Sequence, residues 1–363
     1  MDEKAYTEMV NCIDMDIHPV SIMNHVSVKT AQSMLAHMRI EYEEGLVPDA
    51  YLIAFHEEFC RDRSWIIHMI PKFYLYFLME IWDSDRIEMD GIRWDMLKHL
   101  KRFGLVTYRK GNRRQGIPSE IYIVSSMKNH FYFYLKSRDA EKEMDHYERM
   151  ENAFLGMMYY YGIASLPDLH RIFCQALKEE TDYDAFYHFV KCRSDLWAWG
   201  LFLKDRQKED YFMNHNVESA ELSLVMIREH KDLPYKSVSY DDLAYVRFGY
   251  GIDNRWHGVS ELGSYLVNDM QMSYYRSTVL VHTFITAIQN GTDLKQLLDK
   301  LAVISFSDTK DRKNVEKYVS IMYEHIPVFE FKGHSRSEYG RKYQELESRK
   351  SRSRFHMIPG GKK

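Results

Sequence analysis

Seven basic residues lie close together between Met96 and Ser119, a stretch that contains no acidic residue. Clustered lysine and arginine side chains bind the phosphate groups of a polyanion, and an aromatic side chain beside them can stack on a base. Tyr108 and Tyr122 are the aromatic residues in the right places for such stacking. The predicted nucleic-acid-binding residues are Lys98, Lys101, Arg102, Tyr108, Arg109, Lys110, Arg113 and Arg114.

The charge of the chain is segregated although its net value is only -4. The stretch from Met96 to Ser119 carries +7, and residues 331–363 carry ten basic and three acidic residues, which is also +7. The remainder therefore carries -4 - 14 = -18. Two basic surfaces on an acidic body indicate a polyanion partner or acidic protein patches.

Residue patterns for catalysis or metal binding are weak. The chain contains no GxSxG, GxxxxGK[ST] or GxGxxG motif. Glu330 and Lys332 half-match the Glu-x-Lys of metal-dependent nucleases, with Asp308 and Asp311 as the nearest upstream acids, but a strand that alternates charge on its exposed face explains them equally well. The four cysteines form no CxxC pair, and His56 with Cys60 makes only two ligands. We expect no enzyme activity, no cofactor and no metal.

The basic cluster must be positioned by a helix and a hairpin. "GIRWDMLKHLKRFG" predicts a helix with Trp94, Leu97 and Leu100 on its buried face and Gly104 at its end. "LVTYR" and "EIYIV" predict two strands joined by the turn-rich loop "KGNRRQGIPS". Helices followed by a hairpin are the element order of a winged helix, in which the hairpin tip lies along a nucleic-acid backbone.

A second stretch has the same order. Three helices over "YERMENAFLGMMYYYG", "SLPDLHRIFCQAL" and "DYDAFYHFVKCRSDL" precede a hairpin in "WAWGLFLKDRQKEDYFMN", with Ser165 as the cap of the second helix and Pro167 in its first turn. The loop "KDRQKED" has equal numbers of basic and acidic residues. A neutral wing is a poor phosphate binder, which favours protein contact or packing for this unit.

The predicted fold class is mainly α with small β-hairpins (α+β), built from tandem winged-helix-like units and a C-terminal helical domain. In that domain the long helix from about Ser273 is predicted to be buried, with Val279, His282, Phe284 and Ile288 in an almost charge-free run. The predicted segments are an N-terminal helical region 1–64, a first winged-helix-like segment with a basic wing 65–130 and a second winged-helix-like segment 146–218. They are followed by the C-terminal helical domain 219–330 and a basic tail 331–363.

Composition supports a folded protein without a membrane span. Hydrophobic residues make up 45% and aromatic residues 14%, while mean hydropathy is -0.47. The acidic start "MDEKAYTEMV" lacks the pattern of a secretory signal. We therefore expect a cytoplasmic location.

The segment "VFEFKGHSRSEYG" resembles the stretch that precedes the small zinc-binding SEC-C tail in uncharacterised bacterial proteins with winged-helix units upstream. The zinc-binding cysteines of that tail are absent after Phe331, so the resemblance implies no metal here. It implies a bacterial or mobile-element origin.

Two functions and one structural alternative remain open. The first is a non-enzymatic nucleic-acid-binding or transcription-regulating protein, with DNA favoured over RNA. The second is an adaptor or inhibitor, encoded by a phage or mobile element, that binds a partner protein. The third is a hairpin whose arginines only keep an exposed edge from pairing with other chains.

Overall fold

The computed structural model describes residues 7–23, 28–41, 45, 47–204, 209–301, 306 and 308–341, except for the side chains of Pro48 and Arg113. The fold is mainly helical with two small sheets, which confirms the α+β class. Contacts divide the chain into two compact units, Met1–Met150 with Asp184–Ala198 as unit 1 and Glu151–Tyr183 with Trp199–Lys363 as unit 2. The five predicted segments were drawn from local patterns and stay predictions.

The first part of the chain contains four strands, seven α-helices and two short 3-10 helices, Pro19–Ile22 and Arg113–Gln115, among the described residues. The strands and α-helices are β1 Glu8–Met15, α1 Val28–His37, α2 Pro48–Arg61, α3 Ser64–Met69, α4 Lys72–Asp83, β2 Arg86–Met89, α5 Gly91–Lys101, β3 Val106–Arg109, β4 Glu120–Val124, α6 Ser125–Leu135 and α7 Arg138–Tyr161.

The sheet of unit 1 has the order β2-β1-β4-β3. β3 and β4 form the predicted hairpin, with Arg109 opposite Glu120. β1 is parallel to β4 and antiparallel to β2, so it lies between them. The expectation that 1–64 is helical is therefore wrong for Glu8–Met15, because this stretch gains backbone hydrogen bonds from strands on both sides. The inserted strand, and the single helix α5 between β2 and β3, also depart from a winged helix.

Unit 1 is held together by aromatic packing. Phe59 lies with its ring centroid 5.2 Å from that of Phe55, 5.2 Å from that of Phe131 and 6.3 Å from that of Phe103. All four side chains are buried. Burial of several large rings supplies most of the hydrophobic stabilisation of such a core, and it fixes α2 and α6 close to the end of α5.

The later elements belong to unit 2, except for α9, which lies almost entirely in unit 1. They are β5 Ile163–Ser165, α8 Leu166–Leu177, α9 Tyr183–Trp197, β6 Leu201–Lys204, β7 Asp210–Met213, α10 Ala220–Glu229, α11 Tyr240–Phe248, α12 Val259–Asn268, α13 Tyr274–Gln289, α14 Leu294–Lys300 and α15 Thr309–His325.

The second sheet has the order β5-β7-β6, so the second strand of the hairpin is central. Helices α7, α8 and α9 precede the hairpin of β6 and β7, as the sequence predicted, but β5 lies between α7 and α8, where no strand was predicted. Ser165 caps α8 by accepting a hydrogen bond from the backbone N–H of Asp168, as the sequence predicted. However, Asp184–Ala198, which is nearly all of α9, belongs to unit 1.

The helical core of unit 2 lies among α12, α13 and α15. Phe284 and Ile288 of α13 are buried as predicted, whereas Val279 is 48% exposed. The prediction for Val279 is wrong because α13 turns only one face to α12 and α15. None of the helices in the described part of the chain has the length and apolar character needed to cross a membrane.

Candidate nucleic-acid interface

Helix α5 presents the first basic residues of the predicted site. Its start is capped by Asp90, whose carboxylate accepts a hydrogen bond from the backbone N–H of Arg93 over 2.8 Å. Trp94, Leu97 and Leu100 are buried on one face, as predicted. Lys98 lies outside this buried face, and its side chain is 54% exposed.

The loop between β3 and β4 has a defined shape. Asn112 and Ile117 exchange two backbone hydrogen bonds of 2.9 and 3.0 Å, and Gly116 between them adopts a φ of +66°. A Cβ atom on Gly111 would lie 2.2 Å from the carbonyl oxygen of Ile117. Gly111 is therefore required for the close approach of the two loop arms, which we call the basic wing (residues 110–119).

Two lysines and two aromatic rings form one cluster on this surface. The ring centroids of Trp94 and Tyr108 are 5.2 Å apart. The Nζ atom of Lys110 lies 5.1 Å from the centroid of Trp94, and that of Lys101 lies 5.4 Å from the centroid of Tyr108. α5, β3 and the basic wing thus bring their cations together over an aromatic base, which orders the lysine side chains without neutralising them.

Other cations of the predicted site have carboxylate partners. Lys98 Nζ lies 2.6 Å from Asp95 Oδ1, and Arg109 Nη2 lies 2.6 Å from Glu120 Oε2. Glu120 also accepts a hydrogen bond from the hydroxyl of Tyr122. These acids flank the acid-free stretch in sequence, so they reduce the local charge that the count of +7 suggests.

Arg102 faces inward. Its Nη1 donates a hydrogen bond of 3.1 Å to the carbonyl oxygen of Leu196 in α9. Burial lowers the pKa of Arg102, and also that of Lys101. Arg102 therefore stabilises unit 1 rather than pointing to a ligand.

Arg113 and Arg114 lie in the basic wing, and the structure describes the side chain of Arg114 only. Arg114 is exposed, and its backbone N–H donates to the side chain of Asn112 over 3.1 Å. Arg113 begins the short 3-10 turn Arg113–Gln115, and its side chain lies outside the described part of the chain.

The helix before the second hairpin is packed instead of exposed. In α9, Arg193 is 1% exposed and its Nη2 donates 2.9 Å to the carbonyl oxygen of Ile67. The indole N–H of Trp197 donates 2.6 Å to the carbonyl oxygen of Met69. The face of α9 that carries Arg193 is therefore packed, and it is not free to enter a nucleic-acid groove. Residues 205–208 of the neutral loop KDRQKED (204–210) lie outside the described residues.

A group of titratable side chains in unit 1 was not predicted from the sequence. His37 Nε2 lies 3.2 Å from Asp195 Oδ2 and 3.4 Å from Ser33 Oγ. Both partners share one ring nitrogen, so the three side chains do not form the relay of a hydrolase triad, in which serine and carboxylate bind opposite nitrogens. His188 donates 2.6 Å to the carbonyl oxygen of His37, and its ring stacks on that of His68 at 5.1 Å.

Burial, followed by the nearby charges of Arg193, His188 and His37, lowers the pKa of His68 to about 3. Hydrogen bonds from His37 and Lys191 lower the pKa of Asp195 even though burial opposes that change. No sequence signal could reveal this group, because His37 and Asp195 are 158 residues apart.

The half-match to a nuclease does not assemble. Asp308 caps α15 by accepting from the backbone N–H of Asp311, and Asp311 accepts a hydrogen bond from Tyr265. Lys332 lies in a turn with a φ of +53°, so Glu330 and Lys332 do not project from a strand. Within the described ranges no three His, Cys, Asp or Glu side chains lie close enough to hold a metal ion.

Comparisons of the chain with protein-family models, curated proteins and solved structures find no match. The resemblance of the tail to SEC-C proteins therefore stays a prediction, and residues 342–363 of that tail lie outside the described part of the chain. Function has to be inferred from the arrangement of the side chains themselves.

Proposed function

We propose that this protein is a non-enzymatic nucleic-acid-binding protein that contacts phosphate groups through the surface formed by α5, β3 and the basic wing. The observation that carries the proposal is the cluster of Lys101 and Lys110 over Tyr108 and Trp94. Among the described residues no carboxylate forms an ion pair with either lysine. Both ammonium groups are therefore available to a phosphate.

The kind of contact follows from the residue types. Lysines that bind phosphate position a protein on nucleic acid without reading its sequence. α9 is the helix that would read bases in a winged helix with the second hairpin. Its Arg193 and Trp197 side chains instead donate hydrogen bonds to backbone carbonyl oxygens within unit 1. We therefore expect binding that is sequence-independent and favours duplex DNA, along whose backbone a wing can lie.

The test is a titration with short duplex DNA, single-stranded DNA and RNA at two salt concentrations. The wild-type chain is compared with Lys101→Gln/Lys110→Gln and with Arg113→Glu/Arg114→Glu. Lys142→Gln is the matched control, because Lys142 is 65% exposed in unit 1 but belongs to α7. Salt-sensitive binding that only the first two variants lose supports the proposal; absence of binding at low salt overturns it.

A second candidate function is an adaptor or inhibitor that binds a partner protein. It is favoured by the net charge of -18 that the chain carries outside the two basic stretches. At the second hairpin Lys204 forms an ion pair with Asp210 over 3.7 Å, so this lysine is not free to bind a phosphate group. An acidic body can occupy a basic nucleic-acid channel of another protein. In that case Arg113→Glu/Arg114→Glu leaves partner binding intact.

A further inference from the structure

Three side chains of unit 1 bring soft ligand atoms together between α2 and α6. His56 and Cys60 lie one helical turn apart on α2, with 3.6 Å between Nε2 and Sγ. Met127, in the first turn of α6, places its Sδ atom 3.2 Å from His56 Nε2 and 3.9 Å from Cys60 Sγ. A thiol is a weak hydrogen-bond donor, and its one hydrogen cannot point at both neighbours, so hydrogen bonding gives little reason for this convergence.

The spacing of these three atoms is that of ligands around one metal ion. A triangle with sides of 3.2, 3.6 and 3.9 Å has a point in its plane that lies about 2.1 Å from each corner. Metal–ligand distances in zinc sites are about 2.0 Å to histidine nitrogen and about 2.3 Å to cysteine sulfur. A three-coordinate ion therefore fits between the side chains after small shifts.

The helices that carry the ligand atoms are fixed by the aromatic core. Phe59, which directly precedes Cys60 in the chain, lies with its ring centroid 5.2 Å from that of Phe131 in α6. Met127 is 1% exposed, whereas His56 and Cys60 are partly exposed. An ion from solvent would therefore meet ligands that packing already holds in place.

Ligand type and charge together select the ion. Thiolate and thioether are soft ligands, which favour Cu(I) over harder ions. Among the described residues no third His, Cys, Asp or Glu side chain joins His56 and Cys60 in a metal-binding group. Burial raises the pKa of the Cys60 thiol, so a net charge is disfavoured at this position. One thiolate with a monovalent ion leaves no net charge, whereas a divalent ion would leave a buried positive charge.

We propose that His56, Cys60 and Met127 form a binding site for one Cu(I) ion. On binding, the S–H bond of Cys60 breaks and its proton goes to solvent, while Cys60 Sγ, Met127 Sδ and His56 Nε2 coordinate the ion, whose oxidation state does not change. The sequence indicated only two ligands, because Met127 follows Cys60 by 67 residues. The proposal does not depend on the nucleic-acid function proposed for unit 1.

Titration of the reduced full chain under nitrogen with the Cu(I) complex of bicinchoninate tests the site. We expect the wild type to take one equivalent of Cu(I), with a thiolate-to-copper absorption band in the ultraviolet and an X-ray absorption spectrum of two sulfur ligands and one nitrogen. Loss of a residue that only supports a metal ligand weakens binding about 10- to 100-fold, so Cys60→Ser should weaken it at least about 100-fold. Met127→Leu, which conserves side-chain volume, should weaken it about tenfold or more.

Unit 2 supplies a matched control. His170 and Cys174 have the same spacing on α8, with 3.5 Å between Nε2 and Sγ. There the backbone carbonyl oxygen of Thr181 lies 2.6 Å from His170 Nε2, where Met127 Sδ lies beside His56 in unit 1. That nitrogen donates to the carbonyl and has no lone pair for a metal. Cys174→Ser should therefore leave the stoichiometry and affinity for Cu(I) unchanged.

Thermal melts separate loss of the site from loss of the fold. One equivalent of Cu(I) should raise the Tm of the wild type and of Cys174→Ser, and raise that of Met127→Leu by less, because the ligand stabilises only the state that binds it. No transfer of Cu(I) to the wild type, or transfer that Cys60→Ser and Met127→Leu leave unchanged, overturns the proposal. Binding of Zn²⁺ as tight as that of Cu(I) overturns it as well.

Discussion

Helices α5 and α9 occupy the same place in the element order, since each is the last helix before a hairpin, but they differ in what they contact. α5 leaves Lys98 exposed and brings Lys101 over the ring of Tyr108. α9 buries Arg193 and donates the indole N–H of Trp197 to a backbone carbonyl of unit 1. Element order therefore does not decide whether a helix is free to bind a ligand, and its packing partners do.

The number of buried positions explains the difference. α5 has three buried side chains, all on one face. α9 has buried residues around most of its circumference, including the polar Ser194 and Arg193. The exposed side of α9 includes Asp184 and Asp195, whose acidic side chains disfavour contact with phosphate.

The largest expected effect is on α9. Arg193→Ala should lower the free energy of unfolding of unit 1 by roughly 3 kcal/mol, because it leaves a cavity and removes the donor for the Ile67 carbonyl. Lys98→Ala on α5 should leave stability close to that of the wild type. Urea denaturation followed by circular dichroism measures both, and equal effects would mean that the two helices are packed alike.

The second effect is a pH dependence at the contact between α3 and α9, where His68 stacks on His188. The ordinary pKa of histidine is 6.5, while that of the partly buried His68 is about 3. Between these values the unfolded chain binds the extra proton, so stability is present above pH 6.5 and is lost as pH falls. The loss from His68 is about 1.4 kcal/mol for each pH unit below 6.5.

His68→Gln removes the group that titrates and retains a polar side chain. Thermal melts of this variant from pH 7 to pH 5 should show a flatter pH dependence than the wild type. The salt dependence of nucleic-acid binding through α5 should be the same in both proteins. A wild type with constant stability over this range would show that the pKa of His68 is not lowered in the folded protein.

A smaller effect on stability is expected for Arg102, which directly follows α5. Arg102→Ala should cost about 1 kcal/mol of stability, because one hydrogen bond to Leu196 is lost. The dependence of nucleic-acid affinity on salt should not change, because Arg102 faces inward. A reduced salt dependence in this variant would place Arg102 on the phosphate-binding surface instead.

The smallest change is expected for a single wing lysine. Lys110→Gln should leave the melting temperature unchanged and reduce the slope of log affinity against log salt by about 0.9, the value for one lost phosphate contact. Fluorescence anisotropy at several salt concentrations measures the slope. If the slope stays the same, Lys110 does not touch phosphate.

Local signals in the sequence were sufficient for several elements. Both hairpins, the buried face of α5 and the Ser165 cap were predicted, because turn residues, apolar periodicity and capping all act within a few residues. β1 was missed because its stability comes from β2 and β4, which follow it by more than 60 residues. Short strands of this kind depend on partners that a local pattern does not reveal.

The sequence by itself determined where the charge lies and which short segments become helices or hairpins. Only the tertiary structure decided which cations are free: Lys110 lies over Trp94 at the surface, Arg102 turns to α9, and Arg193 is buried. It also brought together His37 and Asp195. The reason is physical, since charge and periodicity are properties of neighbouring residues, whereas burial and hydrogen bonding depend on residues that are distant in the chain.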